Sequence, residues 1–239
     1  MSSTKTINTM DKSEIPMNIE SFIPDSLPIE KSFHQQLNDV KQTIIKMFIG
    51  RGFINPENKD KYTEKLIADD NDDLEYVMQL DNEKNYNTEI KNKKIYIKIF
   101  DYKISSINKN SPIGEFLSKY DKEYKLLIVQ NINARTELTI ESYKTQVEIF
   151  EFNKLQSDIT ENVRVPQHIV LTKEETDEFF IAYRAKKRDM PLIRSNDAVA
   201  RYYNMKPDNV VKIIRPSPTT SESIAYRLVV KSKDTKAKT

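Results

Sequence analysis

Met190-Pro-Leu-Ile-Arg-Ser-Asn-Asp-Ala-Val-Ala-Arg-Tyr-Tyr-Asn204, Val210-Val-Lys-Ile-Ile-Arg-Pro-Ser217 and Ala225-Tyr-Arg-Leu-Val-Val230 form the most informative stretch of this chain. Val199, Tyr202 and Tyr203 mark a short helix that ends at Asn204, a residue that tolerates left-handed φ. Two strands are expected next, over Asn209–Ile214 and Ser223–Val230, and in the second Ile224, Tyr226, Leu228 and Val230 share one face. Pro216-Ser-Pro218 between them is a turn signal, so the second strand should return antiparallel to the first. Upstream, Thr172-Lys-Glu-Glu175 reads as a capping box before a helix carrying Phe179, Phe180 and Tyr183. This pattern fills residues 161–231, and a domain boundary is expected near residue 160.

The region before that boundary has a different texture. Residues 1–30 hold three prolines (Pro16, Pro24, Pro28) and no sustained apolar period, which predicts a flexible or partner-ordered leader. From Lys31 onward, Phe33, Leu37, Val40, Ile44, Met47 and Phe48 lie on one helical face, with Gly50 and Gly52 as left-handed stops. A second helix should start at Asn55-Pro56-Glu57, with Asn55 as its cap. Strands are expected over Glu75–Leu80, Lys93–Phe100, Tyr124–Gln130 and Gln146–Phe150. They alternate with short helices, one capped by Ser111-Pro112 and another near Leu138–Tyr143. The expected fold is α+β: a helix-flanked mixed sheet over residues 31–160 and a small α+β domain over 161–231. Residues 232–239 form a basic tail.

Composition excludes several classes of function. No run of about eighteen apolar residues occurs, so no membrane partner is expected. Residues 1–10 lack the apolar stretch of a secretory signal. The chain has no cysteine and two histidines, His34 and His168, far apart in sequence, so no metal site, cofactor or histidine-based triad is expected. Three glycines in all leave no Gly-rich phosphate loop. The net charge of +2 conceals an asymmetry. Residues 161–239 hold sixteen Lys and Arg against ten Asp and Glu, and residues 1–160 hold twenty-two against twenty-six.

One catalytic pattern can be written. Asp81 and the triplet Asp101-Tyr102-Lys103 stand at the ends of consecutive predicted strands, as an acid and an acid-x-Lys pair do in metal-dependent nucleases. Such triplets arise readily by chance in a chain with 31% charged residues, and Glu89-Ile90-Lys91 is another. Arg184-Ala-Lys-Lys-Arg188 reads first as the solvated end of a helix, where cations favour the dipole, and second as a phosphate-binding or nuclear-import segment.

The strings Asp197-Ala-Val-Ala-Arg-Tyr-Tyr203 and Val210–Ser217, preceded by Val165-Pro-Gln-His-Ile-Val-Leu-Thr172, resemble the C-terminal signature of the small subunit shared by eukaryotic nuclear RNA polymerases. That family has an archaeal counterpart, which lacks the N-terminal half. Val40-Lys-Gln-Thr-Ile-Ile45 and Arg51-Gly52-Phe53 resemble the first helix and turn of the family's jaw domain, which the family builds as a degenerate nuclease-like sheet. The chain departs from the family where Asn204 replaces a usual glycine and where Pro218-Thr219-Thr220-Ser221 replaces Glu-Thr-Ala-Gly. Scarce glycine with abundant Asn, Lys and Ile fits an AT-rich genome, such as that of a large DNA virus encoding its own polymerase.

The resemblance implies a non-catalytic subunit, present in one copy per polymerase, that docks on the largest subunit among the other polymerase subunits. It also implies a place in the lower jaw beside downstream double-stranded DNA. The compartment would be the nucleus for a cellular protein, or the host cytoplasm and virion for a viral one. Interface candidates are His168, Arg194, Asp197, Arg201, Tyr202, Arg215, Pro216, Tyr226 and Arg227, the arginines because guanidinium groups bind carboxylates in a bidentate way. DNA-proximal candidates are Lys91, Lys93 and Lys94. The alternatives are a metal-dependent nuclease-like protein and a free-standing transcription regulator of the same fold.

Overall fold

Helix α1 (Phe33–Gly50) buries Leu37, Val40, Ile44, Met47 and Phe48 of the expected apolar series, whereas Phe33, in the first turn, stays exposed and stacks on Phe152. It stops at Gly52, whose φ is 71°. The Phe53 N–H reaches Phe48 O at 2.8 Å and the Gly52 N–H reaches Ile49 O at 2.9 Å, the paired bonds of a Schellman cap. Gly50 stays helical and serves packing instead: a Cβ there would lie 3.2 Å from Tyr203 Cε1. The computed structural model describes residues 31–68, 73–81, 94–104, 106–108, 110–142 and 146–231. The expected leader and tail, the triplet at Glu89, and Lys93 lie outside them.

The next element differs from expectation. Pro56–Asn58 is a 3-10 turn leading into α2 (Lys59–Ala68), and the Asn55 side chain makes no capping bond. Asp81 anchors this turn from a distance: its Oδ1 accepts from the Asn55 N–H at 2.9 Å and its Oδ2 from Asn58 Nδ2 at 2.6 Å.

The first sheet comprises β1 (Glu75–Gln79), β2 (Lys94–Ile104), β3 (Tyr124–Ile132) and β4 (Val147–Glu151), side by side in that order. β1 runs antiparallel to β2, and β2, β3 and β4 are parallel. Parallel neighbours need crossovers, which α3 (Pro112–Lys119) and α4 (Ala134–Ser142) provide. Ser111 caps α3 as expected, accepting from the Gly114 N–H at 3.2 Å. Ile95, Ile97, Ile99, Leu126 and Ile128 pack with α1 on one face. Phe100, Leu127, Val129 and Ile149 pack with Ile113, Phe116, Leu117 and Ile140 on the other. Six successive residues of β3, Tyr124–Val129, are buried because both faces are covered, so the strand reads as an apolar run and not an alternation. Lys125 within that run is fully buried, and its ammonium donates to the carbonyls of Tyr120, Asp121 and Glu123, holding the turn before β3.

The second sheet contains β5 (Gln167–Val170), β6 (Leu192–Arg194), β7 (Val210–Ser217) and β8 (Ser221–Val230), in the spatial order β5-β7-β8-β6. β7 and β8 form the expected antiparallel hairpin, with Ser217 opposite Ser221 and Ser221 at φ 65°. Pro216 lies in β7 past the last pair with β5, at Ile214, where the missing N–H costs no ladder bond on that side. One face buries Val170, Ile193, Val211, Ile213 and Val229 with Val199 and Ala200 of α6 (Ala198–Tyr202). On the other, Phe179 and Phe180 of α5 (Lys173–Tyr183) cover Val210 and Leu228. The fold is α+β, with the two sheets falling on either side of residue 160 and both within the compact unit Phe33–Thr239.

The capping box of α5 is complete: Thr172 Oγ1 accepts from the Glu175 N–H at 3.2 Å and Glu175 Oε2 accepts from the Thr172 N–H at 2.8 Å. Thr172→Ala should cost about 1 kcal/mol, read as a lower urea midpoint at unchanged slope, whereas Thr172→Ser should keep the midpoint near that of the native chain.

Candidate functional site

Arg51 ends α1 with its side chain buried, and every polar atom of its guanidinium has a partner. Nη1 and Nη2 meet Glu148 Oε1 and Oε2 of β4 at 3.2 and 2.8 Å, a two-pronged pair. Nη1 also reaches the Tyr124 hydroxyl at 3.2 Å. Nε donates to Tyr202 O at 2.7 Å and Nη2 to Arg201 O at 3.1 Å, satisfying carbonyls at the end of α6. The tie is reciprocated. Arg201 donates to Ile149 O on β4, lies 3.4 Å from Glu137 Oε1, and covers the Phe150 ring at 5.3 Å. Asn204 adopts the expected left-handed φ, 49°, and its Nδ2 reaches the Tyr124 hydroxyl at 3.2 Å. The Tyr202 hydroxyl donates to Asp158 at 3.2 Å, and burial first, then the Asp158 carboxylate, hold it protonated far above the ordinary tyrosine range. Sequence reasoning assigned no role to Arg51 or Glu148; the only local signal was an arginine set between Gly50 and Gly52 at a helix end.

The register of the second sheet gathers four of the predicted interface residues. His168 stands opposite Ile213, Arg227 opposite Val211, and Arg215 two residues beyond Ile213, all on the α6 face of the sheet. Asp197 caps α6 over the same face, its Oδ1 accepting from the Val199 N–H at 3.0 Å. Half-burial lowers the His168 pKa, with Arg215 and Arg227 adding to the effect and the Pro166 carbonyl and Asp197 opposing it. Its Nδ1 lies 2.7 Å from Pro166 O. Arg194, Arg215 and Arg227 have no ion-pair partner among the described residues.

The remaining candidates fall elsewhere. Tyr226 lies on the opposite face, its ring 4.4 Å from that of Phe179 and 5.6 Å from that of Tyr183. Tyr202 is buried, Arg201 is engaged with β4, and Pro216 is exposed near the hairpin tip. A surface the sequence reading did not single out adjoins Tyr226. Ile214 pairs with Ile224 across the hairpin, and Ile169 pairs with Lys212, which pairs with Tyr226. Ile224 is 52% exposed and Ile169 38%, since α5 does not reach them. In the first sheet Lys94 is exposed at the start of β2, and Lys91 and Lys93 lie outside the described residues.

The nuclease-like pairing requires correction. β1 is antiparallel to β2, with Gln79 opposite Lys94, so Asp81 sits at the beginning of β2 and Asp101 seven residues along it. At roughly 3.3 Å per residue, seven residues alone place the two carboxylates about 23 Å apart, too far to share a metal ion. Asp81 is already occupied as the acceptor before α2.

Removing the Arg51 guanidinium strands Glu148 and the carbonyl of Tyr202, while Arg201 O keeps the Asn204 N–H at 3.0 Å. Arg51→Met should therefore destabilise the chain by about 3–5 kcal/mol, measured by urea unfolding. Arg51→Lys should recover little of this, because a single ammonium cannot match the forked geometry.

Residues 157–229 match the family model described as RNA polymerase Rpb5, C-terminal domain. The "DNA-directed RNA polymerases I, II, and III subunit rpabc1" of Dictyostelium discoideum is 33% identical over 211 residues, covering 85% of this chain and 96% of that protein. The "DNA-directed RNA polymerase subunit 5" of Acanthamoeba polyphaga mimivirus is 28% identical over 134 residues, 56% of this chain and 64% of the viral one. The "DNA-directed RNA polymerase subunit Rpo5" of Thermofilum pendens is 46% identical over 74 residues, 31% of this chain and 92% of that shorter protein. With 85% of the chain aligned at 33% identity to the Dictyostelium protein and the second sheet matched by the domain model, the chain belongs to the Rpb5 family of DNA-directed RNA polymerase subunits.

Proposed function

We propose that this chain is a non-catalytic assembly subunit that docks on the largest subunit of its polymerase through the hairpin end of its second sheet. The observation that carries this reading is that neither covering helix reaches that end. One face presents Arg215 at that end, with His168 and Arg227 further back toward α6, the arginines unpaired among the described residues, and the other presents Ile169, Ile214 and Ile224. Open apolar side chains on one face, with guanidinium groups unpaired among the described residues on the other, suit a partner that wraps this end and supplies both apolar cover and carboxylates. A unit of this size buries little surface alone and gains stability from a partner that binds only the folded form.

The first sheet serves, in this reading, as part of the lower jaw near downstream DNA. The net acidic balance of residues 1–160 restricts phosphate contact to local patches such as the one around the exposed Lys94. One copy per polymerase is in keeping with a docking surface that is not self-complementary in charge.

The test is purification of the tagged chain from its native source at high salt. The largest polymerase subunit should co-elute in stoichiometric amount. The double variant Arg215→Glu, Ile224→Asp should lower that recovery at least roughly tenfold, equivalent to about 1.4 kcal/mol, without lowering the melting temperature of the isolated chain. Elution of the native chain without large polymerase subunits would refute the docking role.

A further inference from the structure

A cleft of about 320 Å³ lies between the outer edge of β4 and the loops that close the second sheet. Its volume is that of a small ligand site. Val147, Ile149, Ser195, Arg201, Lys206 and Lys231 are among its lining residues. β4 is the last strand of its sheet among the described residues. The Lys125 N–H donates to Gln146 O and Lys125 pairs with Val147, so in this parallel ladder residues 146 and 148 direct their backbone groups toward β3. Val147 and Ile149 therefore direct theirs into the cleft. Arg201 already takes the Ile149 carbonyl. The Ile149 N–H and the Val147 C=O remain as groups to which an added strand can pair.

The electrostatics select the strand. The one carboxylate of the lining, Glu148, is spent on Arg51. Lys206 donates to a neutral acceptor, Asn204 Oδ1, at 2.6 Å. Lys231 is exposed just past β8 and has no ion-pair partner among the described residues. Desolvation lowers the Lys206 pKa, with Glu148 opposing the shift and Arg51 adding to it. We infer that this cleft binds an extended acidic peptide segment of another polypeptide, added in strand pairing along β4, with its carboxylates against Lys206 and Lys231. Apolar side chains alternating with the acids would rest beside the half-buried Val147.

The inference does not depend on the docking role of the hairpin end, because it can be read on the isolated full chain. The probe is a fluorescein-labelled, amidated Glu-Val-Glu-Val-Glu-Val peptide, followed by fluorescence anisotropy. Saturable binding is expected, weakened about tenfold by Lys206→Glu and again by Lys231→Glu, and abolished when the central peptide nitrogens are methylated. Should Lys206→Glu lower the melting temperature, Lys231→Glu decides, since its side chain is exposed and without an ion-pair partner among the described residues. Absence of saturation up to millimolar peptide, equal binding of the Lys-for-Glu peptide, or indifference to both charge reversals would overturn the inference. Tighter binding of an oligothymidylate than of the peptide would overturn it in favour of a phosphate ligand.

Discussion

The buried guanidinium of Arg51 is the constraint on which the arrangement of the two sheets turns. It holds Glu148 of β4 by two bonds and, with its remaining donors, the last carbonyls of α6. A buried ion pair of this kind contributes modestly to net stability, because desolvation offsets much of the attraction. Its consequence is geometric. A planar fork with five donors accepts one orientation of carboxylate and carbonyls, so α6 meets β4 at one place and the second sheet follows α6. Gly50, one residue earlier, allows Tyr203 to approach α1 closely enough for the guanidinium to reach.

The first sheet is strong where it is covered on both faces and open where it is not. β3 is buried along six consecutive residues, and the isoleucines of β2 and the helices on both sides close the layers around it. Its last strand, β4, has no hydrogen-bonded neighbour on its outer side among the described residues, and Arg201 blunts that edge by taking a single carbonyl. An edge strand guarded at one point by a cation is protected against indiscriminate pairing while remaining readable by a segment of opposite charge.

The second sheet is economical. Two short helices cover opposite faces of its inner rows, with small cores around Val211 and Val229 on one side and Val210 and Leu228 on the other. The cover ends before the hairpin tip does, so Ile224 and Arg215 are left on opposite faces of the same pair of strands. In the proposed docking role, a partner would supply the cover that this end lacks.

Local chemistry made much of this legible in the residues themselves. The face of α1, the Schellman stop at Gly52, the Ser111 cap, the Thr172–Glu175 capping box, the buried run of β3, the left-handed Asn204 and the β7–β8 hairpin all follow from neighbours within a few positions, where spacing and φ preference act directly. The Asn55 side chain makes no capping bond, and its backbone N–H is held by Asp81, twenty-six residues away. β6 is three residues long, too short for any period to show. The roles of Arg51 and Glu148, ninety-seven residues apart, the separation of Asp81 from Asp101, and the gathering of His168, Asp197, Arg215 and Arg227 came only with strand order, strand direction and register. Those depend on how layers close over one another. A sequence announces which side chains are apolar or charged, but the partner of a buried charge is chosen by whichever distant backbone the packed layers bring within about 3 Å of it.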